Sequence, residues 1–240
     1  LDLIPCIHST KTYNYYYICN QTLDHYTMEN PVIIFGASGI GKVALDIFSS
    51  KNIITYCFLD DDKELHDTEI NDVVVMGSTK DDGFLKFIGK KCEAFVAIED
   101  ISDRKRVVEM LKNKRKVMPV NAIHEKSIIS SHSFIGYGNL INAGAVLNAG
   151  TKVPNHCIIN TNATLEFDVQ LEDYVQIGAG SIIGAKAVIE QGALIGAGAT
   201  IGAGVTIGQR AQIAPGSVVF KNIEADDIVF GNPAGTIESK

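Results

Sequence analysis

The segment Ile195-Gly196-Ala197-Gly198-Ala199-Thr200-Ile201-Gly202-Ala203-Gly204-Val205-Thr206 is two six-residue units in succession, each opening on isoleucine. The same beat extends in both directions. From Ile123 an aliphatic residue returns at every sixth position through Ile129, Ile135, Ile141, Leu147, Val153, Ile159, Leu165, Leu171, Ile177, Ile183, Ile189, Ile195, Ile201, Ile207, Ile213 and Val219. Four residues after the aliphatic there is often a small or compact residue, as at Ala145, Thr151, Cys157, Ala163, Ser181, Ala187, Ala193, Ala199, Ala211 and Ser217. Gly often follows the aliphatic directly, as in Ile177-Gly178, Ile183-Gly184 and Ile207-Gly208. Neither a helix, repeating every ~3.6 residues, nor an alternating strand gives a strict period of six. A β-solenoid does, with each unit one short strand plus a tight corner. The aliphatics point inward and stack on their equivalents in neighbouring coils, and the small residues and glycines allow the corner. Three sides make a coil of 18 residues, so five to six coils are expected over residues 122–220.

Upstream the pattern changes. Val32-Ile-Ile-Phe35 reads as a buried strand, followed by the glycine turn Gly36-Ala37-Ser38-Gly39-Ile40-Gly41-Lys42 and a helical stretch from Val43 to Ser49. Ile54–Leu59 is a second strand ending in Asp60-Asp61-Asp62. Val73–Met76 with Gly77, Ala94–Ile98 and Lys116–Met118 supply further strands, separated by helical candidates at 81–88 and 102–114. Strand and helix in alternation predict a small parallel sheet, Rossmann-like, ahead of the solenoid. The expected division is 1–27 as an extension, 28–120 as the α/β domain and 121–240 as the solenoid with its tail.

A length of 240 residues with 46% hydrophobic content allows two cores, and a net charge of −7 argues against nucleic acid and anionic membrane as partners. No apolar run reaches membrane-spanning length. The cysteines Cys6, Cys19, Cys57, Cys92 and Cys157 have no metal-ligand spacing. The last three read as buried small hydrophobes in a reducing cytoplasm. Residues 1–27 carry the cluster Tyr13, Tyr15, Tyr16 and Tyr17 without periodicity. Met28 directly precedes the first strand and is the expected start of translation, so His8 and His25 carry no functional weight.

The glycine turn admits three readings. As a phosphate-binding P-loop it matches Gly-x4-Gly-Lys, but Val43 stands where a hydroxyl should meet Mg²⁺, which excludes nucleotide hydrolysis. As a dinucleotide fingerprint it has Ser38 in place of the second glycine, although Asp60 lies at about the expected distance. As a turn opening a helix, its backbone N–H groups face a diphosphate or another polar group. A tight turn that binds nothing is the alternative.

The hexapeptides at 195–206 and the ending Gly231-Asn232-Pro233-Ala234 resemble the left-handed parallel β-helix acyltransferases. With the preceding glycine turn and Asp60-Asp61, the chain resembles the NeuD/PglD-type sugar acyltransferases over nearly all of Val32 to Ala234. The resemblance implies an α/β domain that holds a nucleotide-activated sugar and a left-handed β-helix that holds acetyl-CoA between subunits of a homotrimer, with no metal. It assigns Ser38, Gly39, Ile40, Asp60, Asp61 and Gly77 to the sugar nucleotide. It assigns Gln176, Ala197, Gly198, Pro215 and Gly216 to coenzyme A. A trimer is expected independently, because a three-sided prism offers flat faces that pack in a closed ring.

The stretch Ile159 to Asp168 resembles the family's active-site coil, which normally reads Glu-His-Asp. Here it reads Glu166-Phe167-Asp168, and two further frequent histidines are replaced by Gln176 and Ile40. General-base help is worth about 10² to 10⁴ in rate. A sugar hydroxyl lies toward the water end of the scale, with a pKa up to about 15, whereas an amine of pKa about 8 is substantially neutral at pH 7. N-acylation of an amino sugar is therefore favoured over O-acylation, with Glu166 or Asp168 as late proton acceptor or as plain solvent-facing residues. His156 is a candidate substitute base exposed at a corner. His124 and His132 flank early strands, and His66 is expected in a solvated loop. Two other readings stand beside this one: an inactive relative that binds a sugar nucleotide or coenzyme A, and a transferase of another donor or acceptor in which Phe167 packs on substrate.

Overall fold

The computed structural model describes residues 30–236, so the readings made for residues 1–27 lie outside the described residues. Four consecutive apolar residues make strand β1, Val32–Phe35, and all are fully buried, because both faces of this strand are covered. Val32 and Ile34 point toward helix α1, Gly39–Ser50, where they meet Ala44, Leu45 and Phe48. Ile33 and Phe35 point the other way, toward Val107, Val108 and Leu111 of helix α3, Ile101–Arg115. The remaining elements are β2 (Thr55–Leu59), β3 (Glu69–Ile70), β4 (Val73–Gly77), the short helix α2 (Asp82–Leu85) and β5 (Glu93–Val96). The strand order is β3-β4-β2-β1-β5, parallel throughout except for the antiparallel pair β3 and β4.

Three local expectations are corrected. Helix α1 begins at Gly39 rather than Val43, so the glycine turn is helical from Gly39 to Lys42. The helix expected over 81–88 is a single turn, because Gly89 and the turns after Leu85 interrupt it. Lys116–Met118 is not a strand: Lys116 takes the left-handed conformation that ends α3, with φ of 59°, and the chain then crosses to the solenoid.

From Ala122 to Val219 two-residue strands stack into three parallel sheets with partners 18 residues apart, as in Gln176↔Leu194 and Thr164↔Ile182. This is the left-handed β-helix of the hexapeptide-repeat proteins. Each aliphatic from Ile141 to Val219 is buried in one continuous core. The small residues four positions later are also inside: Ala145, Cys157, Ala163, Ala187 and Ala199 are fully buried. They fill the prism rather than form the corner, which corrects the sequence expectation. The corners lie between them, at pairs such as Ala197-Gly198, whose second residue is left-handed.

The outward residues of the first solenoid face are Ala122, Leu140, Ile158, Gln176, Leu194 and Gln212 in register. The first three join α1 in one apolar cluster, so the α/β domain is seated on this face.

Candidate active site

The cleft lies at the carboxyl ends of β1, β2, β4 and β5, where the strand order reverses on either side of β1. Open α/β sheets bind ligands at this switch point. The cleft measures about 280 Å³, and its walls include Gly36, Ser38, Asp60, Asp61, Thr79, Ile98, Glu99 and Arg106.

The glycine turn has its composition for steric reasons. A Cβ on Gly41 would stand 2.2 Å from the Gly36 carbonyl oxygen, and one on Gly36, at φ of 102°, 2.6 Å from that of Ala97. The turn therefore presses against the end of β5 and delivers α1 into the cleft amino end first. Ser38 makes no side-chain cap, and the first turn of α1 contains no acidic residue, so the helix's own residues leave its positive end uncompensated. That is the arrangement in which a helix start receives an anion.

The two aspartates that close β2 act within the protein. Asp60 accepts the Ala37 N–H at 2.7 Å and the Asp62 N–H at 2.9 Å. Asp61 accepts from the Ser78 hydroxyl, the Thr79 N–H and hydroxyl, and Arg106. Burial alone would raise the Asp61 carboxyl; the hydrogen bonds from Ser78, Thr79 and Arg106 outweigh it and bring the group down to about 2. Gly77, at φ of 152°, gives its carbonyl to the Asp60 N–H and so joins β4 to the same loop. His66, expected in a solvated loop, is half-buried with Nε2 2.8 Å from the Asp60 carbonyl oxygen.

Of the residues assigned to the sugar nucleotide by resemblance, Ser38, Asp60 and Asp61 line the cleft. Gly39 is exposed beside it, Gly77 supports the loop behind it, and the Ile40 side chain packs against the cluster between α1 and the solenoid. Sequence reasoning missed Thr79, Glu99, Arg104 and Arg106. A signal for Arg104 was present: it shares the 3–4 spacing of Val107, Val108 and Leu111, and a charge on an apolar stripe needs a buried partner. Arg104 is indeed 1% exposed, and burial lowers its guanidinium to about 10, still protonated at neutral pH.

On the solenoid, Glu166, Phe167 and Asp168 occupy the corner between the second and third faces, on the edge opposite the face that carries the α/β domain. The Phe167 ring is 49% exposed. Glu166 is half-buried and accepts a hydrogen bond from Asn148 at 3.3 Å, one coil before it, and Asp168 is an exposed left-handed corner residue. Ala197, Gly198, Pro215 and Gly216 are all exposed and form one column at the corner between the first and second faces. Added Cβ atoms on Gly198 and Gly216 would meet nothing within 4 Å, so this column is an open ledge free of long side chains. Gln176, assigned to the same ligand, lies apart from it at the domain junction. It is 8% exposed and donates Nε2 to the Glu99 carbonyl oxygen at 2.8 Å.

His156 is not the exposed corner base that was considered. It is 3% exposed, stacked on Tyr174 at 5.0 Å, and burial pushes its imidazole down to about 4. Among the described residues no group of three or more His, Cys, Asp or Glu side chains is arranged to hold a metal ion, and no helix is long and apolar enough to cross a membrane.

Residues 31–111 match the PglD N-terminal domain family, and residues 186–221 match the bacterial transferase hexapeptide family. No curated protein matches the chain in sequence. Among solved structures, PerB from Caulobacter crescentus, in complex with CoA and GDP-perosamine, is 25% identical, with a TM-score of 0.79 over 88% of this chain and 98% of that one. A variant of perosamine N-acetyltransferase from the same organism, with the same two ligands, gives the same figures. The acetyltransferase domain of PglB from Neisseria gonorrhoeae, in complex with acetyl coenzyme A, is 25% identical, with a TM-score of 0.79 over 87% of this chain and 99% of that one. With an α/β domain of the PglD type followed by hexapeptide coils, this chain resembles the NeuD/PglD-type family of left-handed β-helix sugar acyltransferases in both of its domains.

Proposed function

We propose that this chain is an acetyl-CoA-dependent transferase that acetylates the amino group of a nucleotide-linked sugar, in cytoplasmic glycan or surface-polysaccharide synthesis. The observation that carries the reading is the pairing, on one chain, of a switch-point cleft entered by the bare amino end of α1 with an empty glycine ledge on the solenoid. Solved structures similar over nearly the whole chain hold GDP-perosamine with CoA, or acetyl coenzyme A, which supports the reading.

In this reading α1 receives the diphosphate, while Asp60 and Asp61 hold the turn and the loop that shape the cleft. Ala197, Gly198, Pro215 and Gly216 offer coenzyme A a flat edge. The bound donor supplies a thioester carbonyl, which a neutral amine attacks through its lone pair; the C–N bond forms, the C–S bond breaks and coenzyme A leaves as its thiolate, to be released as the thiol. Phe167 offers no proton-accepting group, so the chain contributes orientation, exclusion of water and a carboxylate nearby, Glu166 or Asp168, that takes the amine's proton late. Because the Phe167 corner faces away from the chain's own α/β domain, a neighbouring copy supplies the other half of each site, in a homotrimer.

A second reading is favoured by one observation: aromatic Phe167, apolar Ile40 and amide Gln176 leave three frequent histidine positions without an imidazole. On that reading the protein binds a sugar nucleotide or coenzyme A without turnover. Thiol release from acetyl-CoA separates the two, with a UDP- or GDP-linked 4-amino sugar and its hydroxy counterpart as acceptors. Release with the amine alone, at a rate Phe167→His raises little, supports N-acetylation without an imidazole base. A silent wild type beside an active Phe167→His variant supports the inactive relative.

A further inference from the structure

Buried Arg104 reaches out of α3 to the segment that follows β5. Its Nη1 donates to the carbonyl oxygens of Ile98 at 2.7 Å and Glu99 at 3.1 Å, and its Nη2 to that of Tyr174 on a solenoid corner at 3.4 Å. Gln176, two residues beyond Tyr174, adds its own hydrogen bond to the Glu99 carbonyl. Two side chains, one from each domain, thus converge on adjacent carbonyls of a segment that forms a wall of the cleft. A trans peptide is planar, with its C=O and N–H antiparallel. Drawing the Ile98 carbonyl toward Arg104 therefore turns the Glu99 N–H the opposite way, away from Arg104, and both Ile98 and Glu99 line the cleft. Among the described residues that N–H has no acceptor.

We propose that Arg104, through the Ile98 carbonyl, and Gln176, by anchoring the following peptide at the Glu99 carbonyl, are positioning residues that fix the orientation of the Ile98–Glu99 peptide, so that its N–H serves the anionic or carbonyl oxygens of the acceptor nucleotide. They act from behind the wall, opposite the amino end of α1. The inference rests on the reading of the cleft as the nucleotide site. It gives Gln176 a role distinct from the coenzyme A contact implied by resemblance: it couples the solenoid to the acceptor cleft. The Asp60 and Asp61 carboxylates do not serve this task, because they accept hydrogen bonds, here from protein donors, and donate none.

The test is calorimetric titration of the full chain with UDP, GDP, dTDP and CDP, and separately with acetyl-CoA. Gln176→Glu keeps the volume and removes the donor. Gln176→His supplies a ring N–H in its place, and Arg104→Met removes the guanidinium. Loss of the preset donor is expected to weaken the preferred diphosphate about tenfold in Gln176→Glu and Arg104→Met, with partial recovery in Gln176→His. Acetyl-CoA affinity is expected to stay within about twofold. Unchanged diphosphate affinity in a folded Gln176→Glu variant overturns the proposal while leaving the nucleotide cleft in place, and so does an equal loss for both ligands. A wild type that binds none of the four diphosphates overturns the cleft reading and the proposal together.

Discussion

The carboxylate of Asp60 accepts the backbone N–H of Ala37 at 2.7 Å, which ties the end of β2 to the glycine turn after β1. Its second oxygen holds Asp62, so one side chain fixes both loops that enter the cleft from this side. In Asp60→Asn the amide nitrogen faces a backbone donor, and one hydrogen bond is lost. The expected cost is about 1.5–3 kcal/mol, the range for hydrogen bonds to charged groups, read as a shift in the urea midpoint. An unmoved midpoint would show that the turn stands without its brace.

His156 makes stability depend on pH. Its folded-state value of about 4 lies below its ordinary 6.5 because the ring is buried, with Asp173 opposing only in part. Between these values the unfolded chain binds a proton that the folded chain refuses, so stability falls as pH drops from 6.5 toward 4. The full effect is on the order of 3 kcal/mol. Asn accepts the left-handed backbone of this position, at φ of 59°. Urea unfolding at pH 7.5 and pH 5 is expected to show a larger drop for the wild type than for His156→Asn; equal drops would disprove it.

The open ledge can be tested by filling it. Gly198 has φ of 67° with free space beyond, so Gly198→Asn keeps the corner and adds a side chain where coenzyme A is proposed to run. The variant is expected to melt within a few degrees of wild type and to bind acetyl-CoA about tenfold more weakly. Undiminished binding would move the donor to another edge of the prism.

The solenoid core predicts a contrast between neighbouring faces. Ile177 is fully buried, whereas Lys152 points outward and is exposed. Ile177→Ala is expected to cost about 2–5 kcal/mol, and Lys152→Ala to stay within about 0.5 kcal/mol, both by denaturant unfolding.

What the amino-acid sequence determined by itself is the part of the molecule built by repetition. The inward path of Ile141, Ile177, Ile195 and Ile213 follows from period alone, because each coil meets only the coils 18 residues away and the same contact recurs. The turn Gly36 to Gly41 was legible for a related reason: its steric demands arise within one strand–turn–helix unit and the strand beside it. Only the tertiary structure decided the fates of His156, Gln176 and Arg104. The partners of Arg104 and Gln176 lie across the junction of two independently patterned units, 70 residues away for Arg104 and Tyr174 and 77 for Gln176 and Glu99, and His156 stacks on the same Tyr174. No local periodicity encodes how an α/β layer settles on a prism face. Docking buries some polar side chains and leaves the Phe167 corner open on the far edge, and with that it decides which residues serve the cleft.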